Sequence, residues 1–273
     1  MTPMSLETAA RLEEAEIEAL VDRMMAIRDR EGNPEGVEIA AFGGGTAVYS
    51  RTMPWPGFNF VKGLGPQDAD RIDDIARFYR ERGRKFEVHL VPGKLNAALA
   101  KALAAHGFMQ TGFHATMVAD LEVAAGRWKE TPTSAGIGFR EIGRDEFAAY
   151  GRIHCLGFGM PVEGAVPIAR NNEVLHGRPG WKLYFGLTDG MPAAAGVMRM
   201  HDGIASLTFA ATLPEYRGRG LQSGLIRLRL RTAAEHGCRL ATAQAAFGSP
   251  SHRNMEKAGM RLAFTRATWS VPD

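Results

Sequence analysis

The sequence predicts an α/β (α+β) chain of two tandem domains. Three observations predict it: the length, a break in patterning near the middle, and the same order of elements on both sides of that break. At about 150 residues per domain, a chain of 273 residues makes about two. Periodicity fails over 121–136, where Thr131-Pro132-Thr133-Ser134-Ala135-Gly136 has linker chemistry: Pro and Gly interrupt regular structure, and small polar residues favour turns. The expected division is residues 1–125, a linker 126–136, and residues 137–273.

In the N-terminal half, an amphipathic helix over 5–30 is stopped by Gly32-Asn33-Pro34. Short strands are expected at 37–42, 46–51 and 58–62, then a helix over 67–82 and a strand over 85–91. A helix over 95–106 and a strand over 109–119 complete this half.

The C-terminal half repeats the order. A strand at 138–141 leads to a helix over 144–157 and then a Gly/Pro-rich loop. Strands over 182–188 and 193–201 turn at Asp189-Gly190, a hairpin dipeptide. The strand 204–212 alternates, with Leu207, Phe209 and Ala211 on one face and Ser206, Thr208 and Ala210 on the other. Leu221, Leu225, Leu228 and Thr232 fall on one stripe of a helix that Gly237 ends. A strand over 239–246, a short helix over 251–258 and a strand over 261–271 follow. At a constant offset Gly107 matches Gly259, and Ala115-Thr116 matches Ala267-Thr268, which together with the element order points to duplication.

Composition removes several classes. Hydrophobic residues are 45% and charged residues 23%, enough apolar material for a core and too much for a disordered chain. No apolar run approaches the roughly 18 residues that span a bilayer, and the first residues lack a basic region followed by an apolar one, so no signal peptide and no membrane association are expected. Cys155 and Cys238 form no Cys-x-x-Cys pair, so we expect buried thiols in a reducing cytoplasm. The histidines are scattered with no i,i+4 pair, and no metal is expected.

Charge is uneven: residues 1–135 hold 16 Lys/Arg against 19 Asp/Glu, and residues 136–273 hold 17 against 11. Arg217, Arg219, Arg227, Arg229 and Arg231 crowd one stretch of the basic half. Such an excess serves nucleic acid, membrane or a small polyanion, or is a solvated helix face, the expectation for the last three. The arginines lack interleaved aromatic residues and no nucleic-acid motif accompanies them, so no nucleic-acid partner is expected.

The segment Leu213-Pro214-Glu215-Tyr216-Arg217-Gly218-Arg219-Gly220-Leu221-Gln222-Ser223-Gly224 leaves a strand and enters a helix. The first amides of that helix lack intrahelical partners and carry the positive end of its dipole. Glycines admit a bulky anion to the backbone and two arginines add charge, the makings of a diphosphate cradle. A dinucleotide fingerprint needs an acid, or an arginine for a 2′-phosphate, at the end of the next strand, and 239–244 ends in neither. A nucleoside-triphosphate P-loop needs Gly-Lys-Ser/Thr, which is absent. A turn without any ligand would leave paired arginines repelling each other.

Arg217-x-x-Gly220 after Pro214-Glu215-Tyr216 resembles the acyl-CoA motif of the GNAT superfamily of N-acetyltransferases, Gln/Arg-x-x-Gly-x-Gly/Ala. Ser251-His252-Arg253-Asn254 and Gly259-Met260 resemble its following motif. The resemblance covers roughly residues 137–271. It implies two tandem GNAT-like domains, each a mixed, mostly antiparallel central sheet flanked by helices, with the C-terminal one active. The N-terminal half has Gly63-Leu64-Gly65-Pro66-Gln67-Asp68 at the cradle's place, without arginine and with an added acid; it is expected to be a degenerate copy that holds no CoA.

Carried over by residue, the resemblance implies that Arg217, Gly218, Arg219, Gly220, Leu221, Gln222 and Ser223 wrap the diphosphate of acetyl-CoA, the acyl donor. Ala210, Ala211 and Thr212 would offer strand-edge amides to the pantetheine and the acetyl carbonyl, with Thr212 near the oxyanion. Asn254 either reaches the pantetheine arm or makes local hydrogen bonds. Two positions depart from the pattern. Gln222 stands where Gly or Ala is usual, and Met255 where a tyrosine often protonates the leaving thiolate, which leaves Tyr216 and Ser251 as fallback donors. The strand 204–212 lacks the family's frequent glutamate. His154, Glu163 and His201 are the nearest candidate bases, each with a structural alternative, and the loop 158–163 is the candidate lining of the acceptor pocket. The function implied is transfer of acetyl from acetyl-CoA to a small-molecule or peptide amine. The alternative, favoured by Met255 and the missing glutamate, is a non-catalytic acyl-CoA sensor.

Overall fold

The computed structural model describes residues 4–122, 128 and 135–272. Apart from Trp128, Ala135 and Gly136, the expected linker lies outside the described residues. The chain forms two compact units, one of the residues up to Thr116 together with Ala263 onward, the other of Met117–Leu262.

The first unit contains α1 (Leu6–Arg28), β1 (Val37–Phe42), β2 (Gly45–Ser50), β3 (Phe60–Lys62), α2 (Ile72–Glu81), β4 (Glu87–Leu90), α3 (Ala97–Ala105) and the start of β5 (Met109–Asp120). The second contains β6 (Ile137–Glu141), α4 (Phe147–Gly157), α5 (Ala165–Glu173), β7 (Trp181–Thr188), β8 (Met191–His201), β9 (Ile204–Thr212), α6 (Leu221–Glu235), β10 (Leu240–Ala246) and α7 (Pro250–Lys257). The chain then ends in β11 (Arg261–Ser270).

Strand order in the first unit is β1-β2-β3-β4-β11-β5. β3 and β4 are parallel, while β1/β2, β2/β3 and β4/β11 are antiparallel. The last strand, grouped with the C-terminal half by position in the chain, thus pairs Ala267–Trp269 with Leu90–Val88 of the first unit. Local chemistry starts the helices: the Ser5 hydroxyl accepts from the Thr8 amide at 3.0 Å, and the Asn96 side chain accepts from the Leu99 amide at 2.9 Å. Tyr79 centres the core. Its ring stacks on Phe86 at 4.0 Å, and its hydroxyl donates to the carbonyls of Val48 and Phe60; burial pushes its pKa up.

In the second unit the order is β10-β9-β8-β7-β6, antiparallel except for parallel β9/β10. The β7/β8 hairpin turns at Asp189-Gly190 as expected, with φ of 50° and 78°; left-handed backbone at both positions is what a two-residue hairpin of this twist demands.

Three expectations change. The loop after α4 contains a helix, α5. Ala165, Ile168, Ala169 and Asn172 have helical spacing, and Pro167 is tolerated in the first turn, where its missing N–H has no intrahelical acceptor. The buried stripe of α6 keeps Leu221, Leu225 and Thr232 and adds Ile226, Arg229, Leu230 and Ala233, while Leu228 is only half-buried. Arg229, expected on a solvated face, is 2% exposed. Finally, β9 does not alternate to its end, for the reason given next.

Candidate active site

The site is built where β9 and β10 part. They pair in parallel over Ile204–Leu207 and Leu240–Ala243, and the pairing stops there although both strands continue. On the other side of β9 the register slips: Val197 faces Thr208, yet Ala195 faces Ala211. The extra residue makes a bulge, and Phe209 takes φ 45°. That breaks the predicted two-face alternation and turns the end of the strand.

Arg229 holds this distortion. Its guanidinium donates to the carbonyls of Val197 at 2.9 Å and Thr208 at 3.3 Å, while its Nε donates to Leu225 O at 3.0 Å. Gly196 permits the approach; a Cβ there would lie 3.1 Å from the guanidinium carbon. Burial pulls the Arg229 pKa down to about 10, and the group stays charged at neutral pH. At the end of β9 the Leu213 amide donates to Ala193 O at 2.9 Å. Antiparallel alternation then points the Thr212 peptide away from β8, toward the gap that β10 leaves.

The turn after β9 enters α6 through left-handed glycines, Gly218 at φ 77° and Gly220 at φ 84°. Gly220 caps the helix with no side-chain hydrogen bond. Among the described residues, the amides of Gly218 to Ser223 have no partner; the first bond into the helix is Gly224 N to Gly220 O. A Cβ at Gly218 or Gly220 would meet nothing within 4 Å, so the space over this backbone is open. Six amides with the dipole of α6 behind them form an anion-binding end.

The side chains divide their work. Arg217 donates to Gly157 O at 2.8 Å, fastening the turn to the end of α4, and the Arg219 guanidinium lies 5.1 Å over the Tyr216 ring. Gln222 donates through Nε2 to the Ser251 hydroxyl and accepts from Asn254 Nδ2 at 2.7 Å. The crowding expected at Gln222 is relieved sideways: its amide group is drawn onto α7 while its backbone N–H stays free. Asn254 therefore makes a hydrogen bond to a neighbouring helix. Met255 is buried on α7.

On the other flank, a Cβ at Gly157 would come within 3.2 Å of the Thr212 backbone, so α4 ends directly against β9. One turn earlier His154 accepts or donates at Nδ1 with the Tyr150 hydroxyl, 3.1 Å away, and its ring lies 4.8 Å from Phe158 and 6.2 Å from Phe209. Glu163 is exposed in the turn before α5. His201 pairs with Ile204 at the far end of β9, about 26 Å along the strand from Thr212 at 3.3 Å per residue, and cannot serve this site. Sequence reasoning missed Gly157, Phe209 and Arg229; only Arg229, four residues beyond Leu225 on the core stripe, left a signal.

In the first unit the corresponding turn is filled by the protein itself. The Asp68 carboxylate is buried and accepts from the amides of Gly44 at 3.0 Å and Gly65 at 2.8 Å. Cys155 and Cys238 are buried free thiols whose pKa values burial raises. No helix among the described residues is long and apolar enough to cross a membrane.

Solved structures with this architecture include a GCN5-related N-acetyltransferase from Kribbella flavida (16% identity, 98% of this chain and 97% of that one, TM-score 0.70). A tandem GNAT protein from the clavulanic acid biosynthesis pathway matches with 16% identity, 100% and 98% coverage and TM-score 0.63. A GCN5-related N-acetyltransferase from Sphaerobacter thermophilus matches with 15% identity, 97% and 92% coverage and TM-score 0.62. No protein-family model and no curated protein sequence matches the chain. The chain has the tandem GNAT fold, its strands joined in a mixed, mostly antiparallel sheet flanked by helices.

Proposed function

We propose that the protein is an acyl-CoA-dependent N-acyltransferase, working in its second unit and moving acetyl from acetyl-CoA to a primary amine by direct attack in a ternary complex. The observation that carries the reading is the row of free amides from Gly218 to Ser223 beside the uncovered end of β9. A diphosphate accepts from the first, and an extended pantetheine pairs with the second in the way a missing strand would. Two buried free thiols fit a reducing cytoplasm. Asp68, occupying the turn of the first unit, supports a single active copy.

In the reaction the amine nitrogen bonds to the thioester carbon, the carbonyl electrons move to oxygen and return, and the C–S bond breaks. The Thr212 peptide N–H, aimed into the gap, steadies the oxyanion as a fixed dipole does. The amine must lose a proton. With a lysine-like pKa of about 10.4, only about one molecule in 2,500 is neutral at pH 7. His154, beside Phe209 at the mouth of the gap, takes that proton in this scheme; Glu163 is the other acid–base group on that flank. The departing thiolate, of pKa about 8.5, needs little help, and Tyr216, in the turn after β9, is the donor in this scheme, since Ser251 is already bonded to Gln222.

Acetyl-CoA with a panel of amines, followed by thiol release, tests the reading. Tight binding with no turnover on any amine would replace it by the acyl-CoA sensor that Met255 favours. Arg219→Ala is expected to weaken CoA binding by about 1.5–3 kcal/mol, the worth of a charge-assisted hydrogen bond; unchanged affinity by calorimetry would remove Arg219 from the site. His154→Ala is expected to lower kcat by about 10²–10⁴ with acetyl-CoA affinity unaltered, the span of general base catalysis. An unchanged kcat would return His154 to a structural role.

A further inference from the structure

The first unit carries a cavity of about 490 Å³ that the acyl-transfer scheme does not use. It lies where α2 ends and β4 begins, the opposite end of β4's neighbourhood from the Asp68 turn, which follows the end of parallel β3. Its floor is aromatic: the rings of Phe86 and Phe108 meet edge to face at 5.1 Å, with Val271 beside them. Its wall is basic, through Arg80, Arg84 and Lys85.

Two of these cations lack compensation. Among the described residues neither Arg80 nor Arg84 has a carboxylate partner. Arg84 donates through Nη2 to Arg51 O at 2.6 Å, and its Nε is buried with no acceptor. Glu87, the acid on the lining, is taken by His89 Nε2 at 2.8 Å, and His106 by Asp73. A buried donor without an acceptor is costly, and two guanidiniums sharing an apolar-floored hollow repel each other until an anion joins them.

We propose that this cavity is a binding site for an aromatic carboxylate, its ring on Phe86 and Phe108 and its carboxylate shared by Arg84 and Arg80. The volume falls in the range of small-molecule sites, about 300–1,000 Å³, which are apolar with a few convergent polar groups. Guanidinium forks match a carboxylate in geometry as well as charge. Glu87 on the same wall favours a monoanion over a dianionic phosphate. The site sits in the unit that the acyl-transfer reading leaves without a catalytic task, and it stands or falls separately from that reading.

The test is a fluorescence titration of the full chain with 2-naphthoate, with its neutral analogue 2-naphthamide and inorganic phosphate in parallel. Naphthoate is expected to bind, the amide at least about tenfold more weakly, and phosphate not to compete at equal concentration. Arg80→Gln, at an exposed side chain, is expected to weaken naphthoate about tenfold; Arg84→Gln should do so too. Methyl resonances of Ala76 and Val271 should shift on binding, and saturating acetyl-CoA should leave the titration unchanged. Equal binding of acid and amide, unaltered affinity in both variants, shifts away from Ala76 and Val271, or no binding at millimolar naphthoate would each overturn the proposal.

Discussion

Arg229→Ala is expected to destabilise the second unit by about 3 kcal/mol and to abolish acyl-CoA binding with it. Removing the side chain takes the guanidinium donor from the buried carbonyl of Val197, at about 1–3 kcal/mol, and from the part-buried carbonyl of Thr208. It also empties a large volume in the core between α6 and the sheet, where truncations cost about 2–5 kcal/mol. Against this stands the relief of a guanidinium that burial has brought down to a pKa of about 10, so the sum is well below the total of the losses. The bulge is where the loss is felt. Without the guanidinium between Val197 and Thr208, β8 and β9 are free to slide back into regular register, turning Ala210 to Thr212 and closing the gap beside β10. Arg229→Met separates the causes: it fills much of the volume and supplies no donor, so it should recover part of the stability and none of the acyl-CoA affinity. A urea midpoint unmoved in Arg229→Ala, or full CoA affinity in Arg229→Met, would show that the bulge forms without this residue.

Arg229 also shows what the sequence conceals. Its spacing from Leu221 and Leu225 places it on the buried stripe of α6, but charge type argues for solvent, and only the bulged carbonyls opposite explain its burial. The elements themselves were legible because their signals are local: period-two strands, the Asp189-Gly190 turn, and the helix stops at Gly32-Asn33-Pro34 and Gly237. The cradle was legible for the same reason, since a helix N-terminus with left-handed glycines is written in consecutive residues. What escaped was non-local. The slip at Phe209 depends on the partner strand, and the pairing of β11 with β4 joins residues far apart in the chain. Helix α5 escaped because Gly164 and Pro167 read as loop, although a proline in the first turn costs a helix little.

Glu16→Gln should be comparably damaging to the first unit, at about 3–5 kcal/mol, the cost of breaking a buried ion pair. One carboxylate oxygen of Glu16 serves two buried cations, Lys62 Nζ at 2.8 Å and Arg266 Nη1 at 2.6 Å. Across the sheet Val61 pairs with Val88, and the next residue of that strand, His89, pairs with Thr268. Burial alone would raise the Glu16 pKa; Lys62 and Arg266, by charge and hydrogen bond, overcome it and hold the carboxyl at about 2. The folded protein thus binds this proton less readily than the unfolded chain. Its contribution is present above the unfolded value near 4.5 and is lost as pH falls toward 2. Lys62 acts at the other end of the scale. Burial, helped by Arg266 and opposed by Glu16, lowers it to about 8. Between about 8 and 10.5 the unfolded chain holds the extra proton, so this group makes stability rise with pH there. Urea midpoints of the first unit, followed by amide exchange around Tyr79, should therefore fall below pH 4.5 in the native sequence, while Glu16→Gln starts low and loses less on acidification. Adding Lys62→Met to Glu16→Gln should restore part of the loss at pH 7, because one of the two stranded cations is gone. Equal midpoints for Glu16→Gln and the native chain at pH 7, or a double variant no better than the single one, would mean that water reaches these cations and that the trio contributes nothing to holding α1 on the sheet.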